Sequence, residues 1–95
     1  MAIVHTATTV GTTATIIAEI PAGNPLTAVL VFNDDNNPIF LGDATTATSG
    51  ADTGLKLAKS TTSSQIWLNA GDKLYAISAA GTAANAVVTL FSKVI

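Results

Sequence analysis

The stretch FNDDNNPIFLG, residues 32–42, sets Asp34 and Asp35 side by side among Asn33, Asn36 and Asn37. Such an oxygen-rich cluster is the kind that holds a hard divalent cation. A twelve-residue calcium loop takes side-chain oxygens at positions 1, 3 and 5, a glycine at 6 and a bidentate Glu at 12. Asn33, Asp35 and Asn37 meet the first three requirements, but Pro38 stands at 6 and Ala44 at 12. The pattern fails at its most specific positions. A looser site would draw on Asp34, Asp35 and Asp43, against which stands a plain hairpin connection, since Asn and Asp tolerate left-handed dihedrals and form side-chain turns. The hairpin is favoured, with residues 39–42 as its return strand, and no metal or cofactor is expected.

Other reactive groups are scarce. His5 is the single histidine, Glu19 the single glutamate, and there is no cysteine, so any triad or dyad would hang on one imidazole. His5 belongs to an edge strand near the N-terminus and reads as a surface or interface residue. Carboxylate pairs for acid–base work would have to come from solvated turn aspartates, and the glycines never gather into a phosphate-binding pattern. No enzyme is expected. Trp67 and Tyr75 carry the remaining chemistry, because exposed aromatics on β-sandwiches stack against sugars. In QIWLN, Ile66 and Leu68 take one face and Trp67 the other; in KLYAI, Leu74 and Ala76 oppose Tyr75 and Ile77. Alternation alone does not say which set is core. Core or subunit-interface packing is the simpler reading, and an exposed Trp67 would favour a glycan.

These residues must be positioned by strands. The chain has 95 residues, enough for one domain with a modest core: 48% is apolar, but 17 of those residues are Ala. Fifteen Thr, with Val and Ile, make it rich in β-branched side chains that suit a pleated surface. Runs of four to eight such residues recur between Gly, Pro, Asn and Asp, which predicts an antiparallel sandwich. Strands are expected at 3–10, 13–20, 26–33, 39–42, 64–68, 73–78 and 86–91, with a short alternating piece at LKLA and a Thr/Ser/Gly loop over 43–54. Residues 26–33 should be central and buried on both faces. Within 13–20, Ala14, Ile16, Ala18 and Ile20 alternate against Thr15, Ile17 and Glu19. The fold class is therefore all-β: one antiparallel, jelly-roll-like sandwich of about eight short strands over residues 1–95, with 1–10 as a contact strand or arm.

Charge narrows the partners. There is no Arg, four Lys, a formal charge of -2 and only 11% charged residues, which argues against nucleic acid. No run of 18 apolar residues predicts a membrane helix, and MAIVHTATTV lacks the basic and apolar segments of a signal peptide. A domain this neutral, without disulfides, is expected to lean on neighbouring subunits.

From Thr27 onward the sequence also carries a frame: Asn33 at the end of a buried strand, Phe40-Leu41-Gly42, Thr53-Gly54 with Leu57, Gly71-Asp72 with Leu74 to Ala79, Gly81-Thr82 and Val87-Val88. This frame, with GTTATIIAEIPAGNP before it, resembles a group of small β-sandwich proteins and domains from tailed-bacteriophage structural regions. One departure is LAKSTTSSQ, where the family pattern implies a glycine near Lys59. The resemblance implies a virion role, as a capsid decoration (cement) protein on the capsid surface. Its implied partners are itself, as a homotrimer, and the major capsid protein. The alternative is a glycan- or receptor-binding module of tail or head. Interface or ligand candidates are Ile3, Val4, His5, Trp67 and Tyr75.

Overall fold

The β-branched runs form eight strands, and no described residue lies in a helix. The computed structural model describes residues 3–23, 26–34, 37–48, 50, 53–78 and 84–92, with 3–5 and 84–92 described as backbone and pairing alone. The strands are β1 (Ile3–Val10), β2 (Thr15–Glu19), β3 (Thr27–Asn33), β4 (Ile39–Gly42), β5 (Leu55–Leu57), β6 (Ile66–Leu68), β7 (Lys73–Ser78) and β8 (Ala84–Ser92). The expected bounds of β1, β4 and β7 hold to the residue.

The pairing follows from one long ladder folded over. β1 pairs with β8, β2 with β7, β3 with β6 and β4 with β5, all antiparallel. Rolling that ladder brings β3 beside β8 and β4 beside β7, again antiparallel. Two four-stranded sheets result, β1-β8-β3-β6 and β2-β7-β4-β5, which bears out the expected all-β antiparallel architecture. Every connection except β4 to β5 therefore crosses between sheets.

The core lies between them. Val10, Val29 and Val31 from the first sheet meet Ile17, Ala18, Ile39, Leu41, Leu57, Leu74 and Ala76 from the second, with Ile66 and Leu68 packed against this cluster. Burying one such aliphatic side chain stabilises by about 1.5–3 kcal/mol.

Three expectations are corrected. First, FNDDNNPIFLG is not a hairpin: β3 and β4 lie in different sheets, so the chain crosses from one sheet to the other between Asn33 and Ile39. Val29 and Val31 must face Ile39 and Leu41 across the core, and neighbours in one sheet would instead stand side by side. Second, β2 does not alternate throughout. A bulge between Ile16 and Ala18 turns Ile17 and Ala18 both inward and leaves Ile16 39% exposed, because a bulge sets two residues against one on the partner strand. Third, β3 is fully covered on one face only. Thr27, Val29, Val31 and Asn33 are buried; on the other face Ala28, opposite Trp67, is buried but Leu30 and Phe32 are half-buried, since a two-layer sandwich has no third layer outside β3.

Candidate functional site

The acidic corner is built around Asn33. At the end of β3 its side chain is fully buried, and Nδ2 donates to Asn37 O at 2.7 Å and to Leu57 O at 3.1 Å. It thus ties one sheet to the corner and to β5 of the other sheet. The backbone does the same, with Asn33 N donating to Thr61 O at 2.9 Å and Ser60 N donating to Asn33 O at 2.8 Å. Both Nδ2 protons are spent, and Asn33 Oδ1 is buried without a hydrogen-bond partner. Its chemistry is that of a clamp.

Asp34 and Asp43 form no part of this clamp. Asp34 is exposed and Asp35 lies outside the described residues. Asp43 is exposed and occupied locally: its Oδ1 accepts from Thr45 Oγ1 at 2.6 Å and from Thr45 N at 2.9 Å. The Thr45 hydroxyl first, and its backbone N–H second, hold the Asp43 carboxyl below its ordinary pKa. Among the described residues no group of three or more His, Cys, Asp or Glu gathers where it could hold a metal ion.

Close packing explains the glycines beside this corner. Thr46 is buried and donates from Oγ1 to Asp43 O at 2.7 Å, and a Cβ on Gly42 would collide with that hydroxyl. Gly54 has φ of 73° and a Cβ there would strike the Leu41 carbonyl, so this position is closed to other residues by both dihedral and space. Gly71-Asp72 has a comparable task at another corner: Asp72 Oδ2 accepts from Asn69 N at 2.7 Å, while Gly71 N donates to Ile20 O at 2.7 Å and Ile20 N donates to Asp72 O at 3.0 Å. Asn33, Gly42, Gly54, Gly71 and Asp72 of the frame thus hold the ends of strands and the turns between them. The glycine missing near Lys59 also finds a physical account, because the next residue, Ser60, holds φ of 57°, the left-handed region that glycine fills without strain.

The aromatic residues separate. Trp67 stands opposite Ala28 in β3, on the outer face, and is 47% exposed, while Ile66 and Leu68 face the core. Packing in the core of its own subunit is thereby excluded for Trp67. Tyr75 is half-buried on the outer face of the second sheet, opposite Ile16 in β2 and Gly42 in β4. Ile3, Val4 and His5 are in β1 at one edge of the first sheet, in register with Phe91, Leu90 and Thr89. These candidates do not form one site; they mark two outer faces and an edge. Ile16 and Leu55, exposed at 39% and 50%, join them and were not singled out from sequence. Bulge placement decided the first, and nothing in the alternation signals it.

By architecture the chain belongs with all-β proteins built from two antiparallel sheets. No family model matches the sequence, and no curated protein does. A solved structure from Bacillus endospore appendages, described as forming a novel family of disulfide-linked pili, is similar in fold, with a TM-score of 0.60 at 15% identity. The match covers 99% of this chain and 87% of that one. At such identity the likeness is one of fold.

Proposed function

We propose that this chain is a non-enzymatic structural protein of a tailed-phage virion, a decoration protein that binds the major capsid protein and further copies of itself on the head surface. The observation that carries the reading is the placement of large apolar side chains outside the core, Trp67 on one sheet, Ile16 on the other and Leu55 near a sheet edge. A closed ring such as the trimer implied by the resemblance uses two different patches on each subunit, and patches on opposite sheets suit that geometry. Few charges and a small core fit a subunit stabilised by its neighbours. The fold neighbour's appendages are disulfide-linked; with no cysteine, this chain would have to assemble by non-covalent contacts. The test is to strip heads of the protein and add it back. Saturable rebinding that raises the thermal stability of the heads is expected, and no affinity for heads refutes the reading.

Trp67 favours a second reading, a glycan- or receptor-binding module, because a half-exposed indole is what a sugar face stacks on. Host polysaccharide should then shift and quench Trp67 fluorescence, with the response lost in Trp67→Ala. An unchanged spectrum at saturating polysaccharide removes this reading.

A further inference from the structure

The two sheets have four edge strands, and three of them are blunted. β5 is three residues long with Lys56 at its centre, β6 is three residues long, and β2 carries a bulge and ends on Glu19. Short length, charge and bulges are the devices by which sandwiches keep their edges from pairing. β1 has none of them. It runs eight residues, IVHTATTV, without Lys, Arg, Asp, Glu, Pro or Gly, and its register with β8 is unbroken from Ile3 to Val10. No described strand pairs with its far side.

We propose that the free edge of β1 is a self-association site, where β1 of a second copy of this chain pairs antiparallel across a two-fold axis. The occupant follows from length and charge. A partner must supply an extended, neutral, unbulged edge of about 27 Å, at roughly 3.4 Å per residue. Among the described strands only β1 itself offers that, since the other edges are too short or broken. Symmetry then limits the register. Directly opposed residues in an antiparallel pair share a face, and a two-fold axis normal to the sheet preserves faces. One residue must therefore lie opposite its own copy, and overlap is greatest when that residue is Thr6 or Ala7. Both are exposed, so neither is needed for the core. The result is a continuous eight-stranded sheet across two sandwiches, made without covalent links. This contact is separate from the three-fold ring discussed above: it joins copies in pairs, as a dimer or as two rings held together.

The full-length protein tests it directly, because the native chain has no cysteine and an introduced one reports only itself. Directly opposed Cα atoms are about 4.5–5.5 Å apart, within the span that a disulfide bridges. Under mild oxidation, one of Thr6→Cys and Ala7→Cys should run at twice the 9.5 kDa chain mass, with a yield unchanged on tenfold dilution, while the other stays single. Equal crosslinking of both, or of neither, overturns the proposal. Ala7→Lys places charge on the same edge, where like charges oppose pairing. Light scattering should show an even copy number for the native chain and half that number for folded Ala7→Lys; a native monomer or lone trimer, or a folded variant of unchanged mass, overturns it. Head binding is measured separately, so failure here leaves the capsid reading standing, and the reverse.

Discussion

Replacing Asn33 with Asp changes one buried atom from a donor to an acceptor and should unfold the domain near neutral pH. Asn33 Nδ2 serves two carbonyls, Asn37 O and Leu57 O, at 2.7 and 3.1 Å, inside a fully buried site. A carboxylate would present oxygens to both carbonyls and donate to neither. Each lost hydrogen bond costs about 1 kcal/mol, and a buried charge without a partner adds several more. The sum, roughly 4–6 kcal/mol, rivals the 5–15 kcal/mol total of a typical domain. The pH dependence has a definite sign. Burial raises the pKa of the new carboxyl in the folded state, so the folded state holds the proton more tightly than the unfolded one. The deficit is therefore smallest below the unfolded pKa, grows as pH rises toward the folded pKa, and is constant above it. Asn33→Leu, which has no charge and removes the unpartnered Oδ1, should lose less and show no such slope. Urea unfolding of native protein and both variants at pH 4 and pH 7 measures this. A loss under about 1 kcal/mol for Asn33→Asp at pH 7, or one that does not ease in acid relative to the native chain, refutes the clamp.

Other positions give sharper local tests. Gly54→Ala meets both a left-handed φ of 73° and the Leu41 carbonyl, and should cost roughly 2–4 kcal/mol in chemical denaturation. Ser60→Gly should stabilise by about 0.5–1 kcal/mol, because relief of left-handed strain at φ 57° exceeds the added chain entropy; a melting temperature raised by a few degrees checks it. Val31→Asp, at a fully buried inward position, should abolish the cooperative melt, while Leu30→Asp, on the half-buried outer face, should leave a folded protein weakened by about 1–2 kcal/mol. The Asp43 carboxylate, whose pKa is lowered by Thr45, supports the fold above its unfolded pKa and loses that support as pH falls through its folded pKa. Asp43→Ala should thus flatten the acid limb of a plot of melting temperature against pH, and an unaltered limb counts against the Asp43–Thr45 turn.

Much of the strand content was legible because β-branched runs bounded by Gly, Pro, Asn and Asp leave few other options: β1, β4 and β7 fall where the pattern puts them. Sheet membership was not, and residues 34–38 show why. Asn and Asp satisfy a two-strand hairpin and a corner between sheets equally well at the level of local dihedrals. The decision is made by which apolar faces must meet across the core, a non-local matter. The β2 bulge was hidden for a related reason: TIIAE offers apolar residues at both parities, and packing against Leu74 and Ala76 chose Ile17 and Ala18 over Ile16.

The same logic bears on where function resides. Asn33, Asp43 and Asp72, the polar groups that looked most chemical, take part in holding corners: Asn33 Nδ2, Asp43 Oδ1 and Asp72 Oδ2 are committed to backbone or to a turn threonine. A chain that crosses between sheets at nearly every connection needs many such ties, because each corner strips backbone groups of their ladder partners and a buried one left unpaired is costly. The groups without an evident structural duty are of another kind, Ile16 and Leu55 on the surface and the uncharged edge of β1. Surface of that kind is costly to leave in water and prone to unwanted pairing. Unblunted edge and exposed apolar faces are thus the features on which the proposed assembly role and the proposed β1 pairing both depend.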